Sequence, residues 1–194
     1  MLIPQPTDAK NLWIVDGNHP FNDALTWVDQ LKAGTVKVFD VNNFVDACIR
    51  HCAEKSVTID FLAVFGHGMS GYQAIGCGRE LEETGTRSLR RKGVFRPGDS
   101  QLVGPAEESL KKLNGLLSEK ATVLLAGCNV GEGDQGAGLV KSVSEILNGR
   151  KVQAFEWKVY WWTGLMIGAL RQAKGSAVSS SFATYQLNET QVYI

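Results

Sequence analysis

The chain has 194 residues, enough to bury one substantial core and few for two, so a single domain spanning 1–194 is expected. With 44% hydrophobic and 21% charged residues, its composition excludes a disordered chain. Lys plus Arg and Asp plus Glu each total 20, which leaves no basic field for nucleic acid and no strongly acidic one, so partners must be argued from sites.

The opening MLIPQPTDAKNLW shows no charged segment followed by an apolar one, and no run approaches the ~18 apolar residues of a membrane span. A cytoplasmic protein with no membrane partner is therefore expected. Cys48, Cys52, Cys77 and Cys128 are too sparse for a disulfide scaffold and read as free thiols in a reducing compartment, although a protein exported without a cleaved signal would look the same.

Short β-rich runs alternate with helical patterns, the signature of a mostly parallel sheet flanked by helices. Asn11 to Asp16 (NLWIVD) is the first expected strand, and His19 just beyond it reads as a turn residue that can line the same edge. Phe21 to Lys32 has Ala24, Leu25, Val28 and Leu31 on one helical face and closes at Gly34. Thr35 to Val41 is a second strand. Asn42 or Asn43 can cap the helix after it, on which Phe44, Val45, Cys48, Ile49 and Cys52 form the apolar face. Ile59 to Phe65 is nearly all apolar and reads as a central strand buried on both faces.

The texture then changes. Gly66 to Gly78 is glycine-rich, with room for a tight hairpin around Gln73 to Ile75, and the stretch 79–105 has no core pattern. A stretch that long in a compact domain is usually functional or disordered. Glu107 to Leu117 returns to helix, Thr122 to Ala126 is the fourth strand, Gly136 to Leu147 a helix ending at Asn148-Gly149, and Lys151 to Phe155 the fifth strand. Trp157 to Ala173 is aromatic and then amphipathic, and Phe182 to Leu187 supplies a sixth strand.

The third strand runs into FGHG and the fourth into AGC. Ligands of open parallel sheets collect beyond the carboxyl ends of the strands, so His67 and Cys128 are expected on one edge, within several ångströms if their strands are neighbours about 4.8 Å apart. A free thiol has a pKa near ~8.5 and is mostly protonated at neutral pH; an adjacent imidazole makes or stabilises the thiolate. Glycines at 66, 68, 71 and 127 let the backbone turn sharply there, and amides near Gly68 and Cys128 are candidate oxyanion donors.

These motifs, FLAVFGHGMSGY and TVLLAGCNVGEGDQGAGLVKSVSEIL, resemble the caspase-like cysteine peptidases of clan CD, most closely the bacterial CHAT and clostripain types. The resemblance implies a three-layer caspase-haemoglobinase-like fold with a mostly parallel sheet of about six strands, covering roughly residues 11 to 156. It also implies a cysteine endopeptidase with Cys128 as nucleophile and His67 as base, acting through an acyl-enzyme on a protein or peptide substrate, with no cofactor and no metal. The Gln-Ala-Cys-x-Gly signature of caspases proper is absent. Several bacterial members cleave after Arg or Lys; Asp134 or Glu156 would suit such a residue, and Trp157 would wall the pocket. Arg87, Arg90, Arg91 and Lys92 would then lie in an activation or autoprocessing loop, and an activating partner protein is a further expectation.

Other readings stand beside this one. The same fold can serve as a catalytically inactive scaffold or interaction module, with the aromatic run EWKVYWW as its contact surface. Gly131 to Gly136 also fits the G-x-G-x-x-G of a nucleotide-binding Rossmann-like domain, but Glu132 and Asp134 would set like charge against a pyrophosphate. Asp134 has a plainer role too, favouring a helix N-terminus. Cys48, His51 and Cys52 read as core thiols and an off-face histidine rather than metal ligands.

Overall fold

The computed structural model describes residues 4, 7–18, 35–76, 88–90, 105–158 and 165–186. In chain order these form β1 (Asn11–Asp16), β2 (Thr35–Val38), α1 (Val41–Lys55), β3 (Ile59–Phe65), β4 (Gly68–Met69), β5 (Tyr72–Ala74) and β6 (Ser88–Arg90). After them come α2 (Pro105–Lys111) with a 3-10 turn (Lys112–Gly115), β7 (Leu117–Leu125), α3 (Gly133–Ile146), β8 (Lys151–Phe155), β9 (Leu165–Lys174) and β10 (Ala177–Gln186). The fold is the expected α/β type, a mostly parallel central sheet flanked by helices. Its order is β10-β9-β8-β7-β3-β1-β2, with β2, β1, β3, β7 and β8 mutually parallel and the β9–β10 hairpin antiparallel at one edge.

The two-residue period of the strands divides the core. Leu12, Ile14, Leu62, Val64, Val123, Leu125 and Val152 belong to one buried cluster with Phe44, Val45 and Cys48 of α1, Leu110 of α2, and Leu139, Val140 and Val143 of α3. Trp13, Val15, Phe61, Ala63, Phe65, Leu124, Ala126 and Phe155 form a second cluster on the opposite face, where the Trp13 and Phe65 rings meet at 5.2 Å and a 52° tilt. Burial on both faces is why β1 and β3 read as near-continuous apolar runs.

Several local expectations change. β2 stops at Val38 because Asp40, not Asn42 or Asn43, caps α1: its Oδ1 accepts from Asn43 N at 2.7 Å. Ile49 is 43% exposed and so leaves the apolar face. The helix expected from Glu107 to Leu117 ends as a 3-10 turn, and β7 takes over at Leu117. The central sheet has seven strands rather than six, because the amphipathic stretch before Ala173 pairs as β9. Within the stretch 79–105, Ser88–Arg90 pairs with β5 and Leu89 is buried, so that stretch is not wholly irregular. The expected helix at Phe21 to Lys32, His19, Cys77, Arg87, Arg91, Lys92 and the aromatics at 160–162 lie outside the described residues. No helix among the described residues is long and apolar enough to cross a membrane.

Candidate active site

The site begins where β3 and β7 end. The strands are parallel neighbours in register, Val64 opposite Leu125, and Ala126 N donates to Val64 O at 2.8 Å just beyond that pair. His67 and Cys128 stand at matching positions past the two carboxyl ends, and both are half-buried. Phe65 and Ala126, two positions before His67 and Cys128, belong to the second core cluster. Cys128 packs against that cluster at its margin.

Two turns are locked together around the pair. The β4–β5 hairpin turns at Ser70-Gly71, with Gly71 at φ 70°, a conformation glycine adopts without strain. Gly71 N donates to Val130 O at 3.1 Å and Ser70 Oγ to Glu132 O at 2.5 Å, docking the hairpin on the turn that follows Cys128. Gly68 sits against that turn so closely that a Cβ there would lie 2.7 Å from Cys128 O. Behind the pair, Gln73 is fully buried; its Oε1 accepts from Gly127 N at 2.9 Å and its Nε2 donates to Ala74 O at 2.9 Å.

Backbone donors near the sulfur are largely committed. Asn129 N donates to Trp157 O at 3.0 Å, Gly131 N to Phe155 O at 2.8 Å and Glu132 N to Asn129 O at 3.0 Å. The amides of Asn129, Gly131 and Glu132 are thus taken up within the protein, and the expected oxyanion donors remain those of Gly68 and Cys128. Ala74 N donates to His67 O, which makes residues 67 and 74 a hydrogen-bonded pair; antiparallel alternation then turns the Gly68 N–H away from β5.

The expected pocket residues fall in different settings. Glu156 is part-buried, and Arg171 of β9 lies against it, Nε to Oε1 at 3.4 Å, while the same Nε approaches Gly131 O at 3.4 Å. Its charge is therefore countered within the protein. Asp134 is exposed in the first turn of α3, where the helix dipole favours it. Trp157 is 61% exposed and is tied by its carbonyl to Asn129, the residue after Cys128.

Cys48, by contrast, is fully buried, and desolvation followed by the neighbouring Cys52 pushes its thiol pKa far up. Cys52 is raised too, chiefly by burial, and its Sγ donates to Leu116 O at 3.7 Å. His51 turns instead to Ala9 O at 2.7 Å. Among the described residues, no group of His, Cys, Asp and Glu is arranged to hold a metal ion. Gly131 and Gly136 of the G-x-G-x-x-G stretch touch protein: a Cβ at Gly131 would lie 2.6 Å from Ala154 O, and one at Gly136 would collide with the Gly131 backbone.

Residues 22–159, more than half the chain, match the family described as Domain of unknown function (DUF4347). The chain belongs to that family. No curated protein and no solved structure matches it. The stretch shared with the DUF4347 family contains both turns that carry His67 and Cys128, whereas β1 and the β9–β10 hairpin with Arg171 lie outside it.

Sequence reasoning missed Gln73 as anything beyond a hairpin position, and missed Asn129 and Arg171 altogether. Only Asn129 had a local signal, an asparagine next to Cys128 where a left-handed turn was needed. Gly127, which Gln73 holds across the site, is 54 residues away along the chain, and Gly131 and Glu156, the partners of Arg171, are 40 and 15 away.

Proposed function

We propose that this DUF4347 domain is a cysteine endopeptidase acting through His67 and Cys128. The observation that carries the reading is that neighbouring, in-register parallel strands stop just short of these two residues, which stand at matching positions beyond the strand ends and are both half-buried. His67 takes the Cys128 thiol proton as the sulfur adds to the peptide carbonyl carbon, giving a tetrahedral oxyanion beside the Gly68 and Cys128 amides. Collapse breaks the C–N bond, the imidazolium protonates the leaving amine, and a thioester remains on Cys128. Water, deprotonated by His67, then releases the carboxylic acid and restores the thiol.

The resemblance to clan CD supports the same roles. A preference for a basic residue rests on Asp134, since Glu156 is countered by Arg171. The free thiols Cys48, Cys52 and Cys128 fit a reducing, cytoplasmic setting. Activation includes a partner protein or a cut after a basic residue near 87–92; intact mass of the purified wild type against Cys128→Ala reads the latter, and identical masses exclude it.

The deciding experiment is turnover of a fluorogenic peptide library. Wild type is expected to cleave, with Cys128→Ala and His67→Ala folded but reduced by at least about a hundredfold. Cleavage unchanged in Cys128→Ala overturns the reading. No cleavage under any activating condition favours the scaffold role instead.

A further inference from the structure

Gln73 has a fully buried carboxamide at the point where β3 and β7 stop pairing with each other. The last inter-strand bond, Ala126 N to Val64 O, is followed by two glycines, Gly66 and Gly127, one immediately before each site residue. A Cβ at Gly66 would lie 3.2 Å from Gln73 Nε2, and one at Gly127 would lie 2.9 Å from Gln73 Oε1, so the carboxamide is seated against both. Its Oε1 takes the Gly127 N–H at 2.9 Å in place of a strand partner, and its Nε2 holds Ala74 O at 2.9 Å. Ala74 N in turn donates to His67 O at 2.8 Å. One side chain thus connects the backbone before Cys128 with the hairpin bond that fixes His67.

We infer that Gln73 is a positioning residue: its carboxamide clips the Gly127 turn to the His67 hairpin from behind and sets the separation of imidazole and thiol. The inference rests on the dyad reading. A buried amide suits the task because it accepts and donates at once with a fixed geometry, whereas an apolar side chain of the same length would leave both backbone groups unmatched. The glycines on either side admit it: a Cβ at Gly127 would collide with its Oε1, and one at Gly66 would crowd its Nε2 and meet Ala74 O at 2.6 Å.

The test follows the pH dependence of Cys128 alkylation by iodoacetamide, read by peptide mass spectrometry on the full chain, in wild type, His67→Ala and Gln73→Met. Wild type is expected to show a component of reactivity at neutral pH that depends on His67 and is absent in His67→Ala. Gln73→Met is expected to lose that component and to react about tenfold more slowly at that pH, with circular dichroism unchanged. A Gln73→Met protein that melts earlier but keeps the wild-type profile would reduce the residue to a structural role and overturn the inference while leaving the dyad intact. Identical profiles in wild type and His67→Ala would remove the dyad, and the positioning role with it. Should Gln73→Met not fold, Gln73→Asn, which keeps a carboxamide but shortens its reach by one methylene, is read by the same two criteria.

Discussion

At the scale of single residues, Asn129 makes the sharpest statement. It holds φ 60°, a conformation that L residues enter at a cost and that asparagine tolerates best after glycine. It also donates its N–H to Trp157 O and its Nδ2 to Glu132 Oε2 at 3.0 Å. Asn129→Gly should therefore keep the turn, while Asn129→Val, β-branched and without the amide, should lose about 1–2 kcal/mol in chemical denaturation. The thiols give a second test. Folding favours the protonated Cys48, so the unfolded chain releases this proton first as pH rises past the ordinary thiol value of 9.0. Stability is then full below that pH and falls above it. Cys48→Ala should flatten the alkaline arm of the melting curve, and an unchanged arm would count against the buried thiol as its source. Iodoacetamide at neutral pH should label Cys128 well before Cys48 or Cys52, whose pKa values burial raises.

At the scale of elements, the site is a junction of three pieces: the β4–β5 hairpin, the turn between β7 and α3, and β9. The last contributes through Arg171, which braces Glu156 and Gly131 O together. Arg171→Met leaves a part-buried carboxylate without its cation and the turn without its brace; a loss of about 1–2 kcal/mol is expected, discounted for the solvent that reaches the pair. Glu156→Gln should cost less, because it removes the charge and keeps a hydrogen-bonding partner. The contact between hairpin and turn is tighter. Gly68→Ala would bring a Cβ to 2.7 Å from Cys128 O and 3.0 Å from Gly127 C, backbone atoms that cannot yield without moving the turn. Peptide cleavage is expected to fall more steeply than melting temperature in this variant.

Across the whole molecule, the candidate site and the Arg150 cluster sit at opposite ends of the parallel strands. Far from the cysteine, Arg150 bonds to Asn114 O, Leu117 O and Leu147 O at 3.0, 3.0 and 3.1 Å, and to Asn114 Oδ1 at 3.2 Å, joining the end of the 3-10 turn, the start of β7 and the end of α3. Arg150→Met strips donors from several part-buried carbonyls at once and should cost about 3 kcal/mol, lowering the melting temperature by about 6–12 °C for a domain of this size. Its Cys128 alkylation profile should remain that of the wild type, because nothing near the sulfur changes. A shifted profile would mean that the two ends are coupled through the sheet.

The amino-acid order alone determined β1, β3 and β8 to the residue, since long apolar runs bounded by polar ones carry their boundaries locally. It also marked His67 and Cys128, because motif residues beside glycines at strand ends are visible without knowing which strands pair. Asp40 as the cap of α1 was misjudged by two or three residues, the usual reach of competing capping side chains. Only the tertiary structure decided that β3 lies beside β7, that the stretch before Ala173 joins the sheet as β9, and that Gln73 meets Gly127 and Arg171 meets Gly131. Such facts depend on hydrogen bonds and ion pairs between residues distant along the chain, and no local period or propensity records which distant groups will meet.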